Sequence, residues 1–133
     1  MKQHIAHITL LVKNYDEAIQ FYTEKLHFEL IEDIKQSESN RWVLVAPKGS
    51  SESKLLLSEA KNKAQENLIG NQSGGRVFLF LYTDNIERDY QNLIDQKVEI
   101  IQKPKTEVYG TVAVFADLYG NKWDLIEAPN QKS

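Results

Sequence analysis

Three histidines and no cysteine set the chemistry open to this chain of 133 residues. Without thiols, disulfide scaffolds, cysteine nucleophiles and cysteine zinc sites are excluded. An imidazole titrates at about pH 6.5 and, beside a carboxylate, can serve as a general base. His7 is the histidine placed for such work, because it opens the apolar run His7-Ile8-Thr9-Leu10-Leu11-Val12. Alternation along a strand puts His7, Thr9 and Leu11 on one face and His4 on the other. A strand histidine held for structure alone is the competing reading. Arg41-Trp42 opens a second apolar run and also reads two ways. It is either an exposed arginine with a half-buried tryptophan, or a clamp for an anionic group under an aromatic lid. Walker-type glycine loops, the GxSxG elbow and HExxH are all absent.

The elements that must position these residues follow from periodicity. His7–Val12 reads as a strand. Asn14 then caps a helix, with Glu17 three residues later in a capping-box pattern. Tyr15, Ala18, Ile19, Tyr22 and Leu26 recur at helical spacing. His27 falls where a helix end favours glycine, and histidine can enter the left-handed region there. Strands are expected at 28–34, Arg41–Ala46 and 54–58. Residues 61–75 are polar and end in Asn71-Gln72-Ser73-Gly74-Gly75, a connector read as a plain surface loop or as a rim loop over a site.

The second half repeats the first. Val77–Tyr82 is a strand, Asp84-Asn85-Ile86-Glu87 repeats the cap, and Ile86, Tyr90, Leu93 and Ile94 form an apolar helix face. Strands follow at 98–101, 111–116 and 122–126. The closing strings Leu55-Leu56-Leu57-Ser58-Glu59-Ala60 and Trp123-Asp124-Leu125-Ile126-Glu127-Ala128 match in pattern. Each half is therefore strand, helix and three strands. The expected fold class is α+β, two βαβββ modules in one domain over 1–133, with module one at about 5–60 and module two at about 76–128.

Composition sets limits rather than a function. Hydrophobic residues are 41% and charged residues 26%, as in ordinary globular proteins. Lysine plus arginine is 16 against 19 acidic residues, a net charge of -3, which argues against a nucleic-acid partner. No apolar run approaches the roughly 18 residues of a membrane-spanning helix. Met1-Lys2-Gln3-His4 lacks the apolar region of a signal peptide, so the cytoplasm is the expected location.

The paired modules resemble the vicinal oxygen chelate superfamily of glyoxalase-like lyases, bleomycin-resistance-type binding proteins, fosfomycin-modifying transferases and extradiol dioxygenases. The residues that carry the resemblance are His7 to Val12, Ala18-Ile19-Gln20-Phe21-Tyr22, Leu26-His27-Phe28, and the run from Phe115 to Glu127. Leu118 stands where that family usually has proline, and His27 and Lys97 where it has glycine. The resemblance implies that the curved mixed sheets of the two modules form a cup. It also implies that metal ligands, where present, point into that cup. His7 matches the first ligand position. Asp124 matches the last, where glutamate is usual. The two remaining positions fall at Leu56 and Phe78, which cannot bind a metal.

On this resemblance, alternation places Leu11, Leu56, Phe78, Phe80, Tyr82, Lys122 and Ile126 toward the cup, with Trp123 in the core and Glu59 and Glu127 turned away. Glu107 and Tyr109 would border its mouth, and Arg41 would add the clamp. Two ligands are too few for a tight catalytic metal site. The expected cofactor is therefore none, or a weakly held divalent metal on His7 and Asp124. Two functions remain open. One is a binding protein that holds a small, partly apolar organic molecule in the cup without a complete metal site. The other is a glyoxalase-like lyase or isomerase using His7 and Asp124, as metal ligands or as base and orienting carboxylate. The resemblance further implies a homodimer.

Overall fold

The structure, a computed structural model, describes residues 1–129. Among these the chain forms β1 (His7–Val12), α1 (Tyr15–Gln20), β2 (Glu29–Lys35), β3 (Arg41–Ala46), β4 (Lys54–Glu59), α2 (Lys63–Leu68), β5 (Val77–Tyr82), α3 (Ile86–Asp95), β6 (Glu99–Glu107), β7 (Gly110–Ala116) and β8 (Lys122–Glu127). The strands make two four-stranded sheets of the same order, β1-β4-β3-β2 and β5-β8-β7-β6. In each, the opening strand runs parallel to the closing strand and the remaining pairs are antiparallel. The repeated α+β module read from the sequence is thus present twice. The chain divides into two compact units, Met1–Ile69 and the part from Gly70 onward, with the boundary inside the expected connector.

Local sequence accounts for the helices. Asn14 Oδ1 accepts from Glu17 N at 3.0 Å and Asn85 Oδ1 from Arg88 N at 3.1 Å, so both expected caps form. The first helix runs one residue further, from Asn14 to His27, than the second does from Asn85 to Lys97. A π-helical turn over Phe21–Lys25, closed by Leu26 N to Phe21 O at 3.3 Å, takes up that residue. Both helices stop on a left-handed residue, His27 at φ 61° and Lys97 at φ 60°. The next residue then turns inward and buries, Phe28 in one unit and Val98 in the other.

Two expectations need correcting. The connector is not all loop. Asn62 Oδ1 accepts from Gln65 N at 2.9 Å and starts α2. The sequence reading missed it because six residues with only Ala64 and Leu68 apolar are too short to show a helical periodicity. β6 also runs to Glu107, well past the expected 101, because pairing with β7 carries a polar stretch that has no strand pattern of its own.

The outer strands differ in a way that matters below. β2 carries Glu29, Glu32, Asp33 and Lys35 and a register shift between Leu30 and Glu32. β6 carries Lys103, Pro104 and Lys105 and two register shifts. Charge, proline and bulges are the devices that block pairing at a sheet edge. The other two outer strands, β1 and β5, contain no aspartate, glutamate, lysine, arginine or proline.

Lys97 is exposed and pays the steric cost of a Cβ in the left-handed region. Lys97→Gly is expected to raise unfolding free energy by about 1 kcal/mol, read as a higher denaturant midpoint at unchanged slope.

Candidate functional site

In the first unit alternation sorts β1 as expected. Leu10 and Val12 are buried in the core with Ala18 and Tyr22, whereas His7 and Thr9 are exposed and Leu11 is half-buried. Register sets His7 beside Lys54, Thr9 beside Leu56 and Leu11 beside Ser58, and Leu56 beside Leu44 of β3. Trp42 lies two residues from Leu44 on the same strand face. Its indole meets the His7 ring edge-on, with centroids 5.6 Å apart. Of the two readings of Trp42, half-buried or an aromatic lid over an Arg41 clamp, the structure shows it half-buried, and its ring partner is His7.

Arg41 points the other way. Its Nε and Nη2 donate to the two carboxylate oxygens of Asp33 at 3.1 and 2.7 Å, and Nη1 donates to Asp16 at 2.9 Å. The guanidinium also lies 5.2 Å from the centre of the Tyr15 ring. Both carboxylates push its pKa further up. The anion-clamp expectation for Arg41 is corrected here, because two fixed carboxylates already occupy the fork. Its work is to tie the β2–β3 hairpin to the start of α1.

In the second unit β8 carries the chemistry. Phe80, Asp124 and Val114 stand in one row across β5, β8 and β7, with Tyr82, Ile126 and Val112 in the next. Residues paired in a row share a sheet face. Trp123 lies on the opposite face, 3% exposed and stacked on Phe115 at 6.0 Å. Phe80 and Tyr82 are 60% and 63% exposed, unusual for large rings on a strand. Phe78 does not line up with them. A register shift between Val77 and Leu79 turns its ring edge-on to Trp123, 6.5 Å away. A bulge sets two residues against one and so breaks the alternation that placed Phe78.

Asp124 is half-buried, and among the described residues it has neither a hydrogen bond nor an ion pair. Burial pushes its carboxyl above the ordinary aspartate range. Lys122, two residues away on the same face, donates to Gly75 O at 3.2 Å. Glu59 and Glu127 face away, as alternation requires, and each has a task the sequence reading did not assign. Glu59 Oε2 accepts from Tyr15 N at 3.1 Å and Glu127 Oε1 from Ile86 N at 2.8 Å, so each closing strand caps its module's helix. The matched glutamates of the two closing strings were the available signal. Glu107 and Tyr109 sit at the β6–β7 turn, where Glu107 pairs with Lys105 at 3.4 Å and Tyr109 is exposed beside Val108.

The two further ligand positions that the resemblance implies fall at Leu56 and Phe78, whose side chains carry no donor atom for a metal, and Phe78 is packed on Trp123. Among the described residues no three histidine, aspartate or glutamate side chains come together.

A sequence model of the Glyoxalase/Bleomycin resistance protein/Dioxygenase superfamily matches residues 4–125. The chain belongs to this superfamily. It is 54% identical over 128 residues to an uncharacterized protein of Shewanella frigidimarina, covering 96% of this chain and 95% of that one. Among solved structures it is similar to UcmS2, at 31% identity and TM-score 0.82 over 95% of this chain and 98% of that one. It is also similar to TnmS3, an antibiotic binding protein from Streptomyces sp. CB03234, at 28% identity and TM-score 0.77 over 96% and 97%. Among the described residues no helix is long and apolar enough to cross a membrane.

The state of Asp124 has a measurable consequence. A carboxyl whose folded pKa lies above its unfolded value binds protons more readily when folded, so stability falls as pH rises through that window. Asp124→Asn is therefore expected to melt above the native protein at neutral pH, with the gap closing in acid below the ordinary aspartate range. Equal melting temperatures at neutral pH would show that Asp124 carries no desolvation cost.

Proposed function

We propose that this protein binds a small, planar, partly apolar organic molecule in the cytoplasm, on the helix-free faces of its two modules and without a resident metal. The observation that carries the reading is the pair of exposed rings, Phe80 and Tyr82, in the row pattern around Asp124. An apolar surface with a few placed polar groups is the usual form of a small-ligand site. Leu11, Leu56 and Trp42 with His7 offer a comparable surface in the first unit. The similarity to an antibiotic binding protein supports the same class of ligand.

Saturable binding of compounds from a panel of planar aromatic antibiotics and dyes, followed by fluorescence titration, is the test. Phe80→Ala and Tyr82→Ala are each expected to weaken binding by about tenfold, at the scale of one lost stacking contact, with little change in melting temperature because the rings are exposed. No saturable binding across the panel would overturn the reading.

The second part of the proposal is a homodimer. β1 and β5 carry none of the charged residues or proline that protect β2 and β6 from pairing, and a second copy supplies edges of matching character. Sedimentation equilibrium is expected to give twice the 15.3 kDa chain mass at micromolar concentration. A monomer under those conditions would remove this part and leave the ligand reading standing.

A further inference from the structure

We propose that the ligand carries a protonated amine, placed against the Asp124 carboxylate between the rings of Phe80 and Tyr82. The inference rests on the aromatic-face reading above and adds the charge of the ligand to it. Asp124 stands in register between Phe80 and Val114, with Ile126 two residues along on the same face. These neighbours supply apolar surface and no hydrogen-bond donor from their side chains. A carboxylate so placed loses water without gaining a partner, a state that folding alone does not favour. The nearest cation on its own strand, Lys122, is held by the Gly75 carbonyl and makes no ion pair with it among the described residues. Among the described residues no cation pairs with Asp124, and a positive charge carried by the ligand would fill that place.

The rings select among such charges. A compact inorganic cation needs several oxygen or nitrogen donors, and this face offers one carboxylate. An organic ammonium attached to a planar ring system needs one carboxylate and aromatic faces, because the ring quadrupole attracts the charge while the ring faces stack. Phe80 and Tyr82 present those faces 60% and 63% exposed. A neutral ligand of the same shape would bury Asp124 without compensating it, and an anionic one would be repelled. Discrimination by charge therefore comes from the cost of leaving Asp124 unpaired.

The experiment compares two dyes of nearly the same shape by fluorescence titration at mildly alkaline pH, where 9-aminoacridine is a cation and acridine is neutral. The native protein is expected to bind 9-aminoacridine at least about tenfold more tightly than acridine. Asp124→Asn is expected to shrink that preference to less than about twofold, with acridine binding more tightly than to the native protein because no carboxylate is left unpaired beneath it. Melting curves of both proteins establish that the variant is folded. Equal affinity for the two dyes in the native protein would overturn this inference and leave the aromatic-face reading intact. A preference that survives in Asp124→Asn would overturn it as well, by placing the charge contact elsewhere. If neither dye bound, both this inference and the aromatic-face reading would fall.

Discussion

A carboxylate at the end of each closing strand, bonded to the first free N–H of its module's helix, governs how the rest of each sheet faces. Glu59 reaches Tyr15 and Glu127 reaches Ile86, across 44 and 41 residues of chain. Once that glutamate is committed to the helix side, alternation leaves its strand no choice. Leu56 and Asp124, three residues earlier, must face the other way. The parallel pairing of β1 with β4 and of β5 with β8 then carries the same parity to His7, Thr9, Phe80 and Tyr82. The glutamate's side of the strand is thus the helix side, and Leu56 and Asp124 stand on the opposite face.

The offered face runs against what stability alone would favour. Large aromatic rings are exposed and a carboxylate is partly buried with no partner among the described residues. Elsewhere the chain handles charge differently, as Arg41 shows by closing on Asp33 and Asp16. The contrast within one small protein separates residues that hold the fold from residues kept at a cost. Sites that must accept something from outside are commonly built this way.

The edges follow the same logic. β2 and β6 are blunted by charge, bulges and, in β6, proline, whereas β1 and β5 are bare of charged residues and proline. A β-rich chain keeps a bare, apolar edge only where something covers it in use. The bare strands are the ones that carry His7, Phe80 and Tyr82.

Much of the fold was legible in the sequence. The apolar alternation of β1, the asparagine caps and the two matched closing strings describe the repeated module, because each is a local pattern tied to a local geometry. The left-handed turns at His27 and Lys97 were legible for the same reason, as positions where a helix must stop. His7 and Asp124 could be placed on faces by counting. The tertiary structure decided what counting cannot see. A bulge took Phe78 out of its row and onto Trp123, since register depends on the partner strand. Asp16 and Asp33, distant in sequence, converted Arg41 from a candidate clamp into a tie. Trp42 came to His7 rather than to its own neighbour. The unpaired state of Asp124 is likewise visible only in three dimensions, because a missing partner is a property of space and not of sequence order.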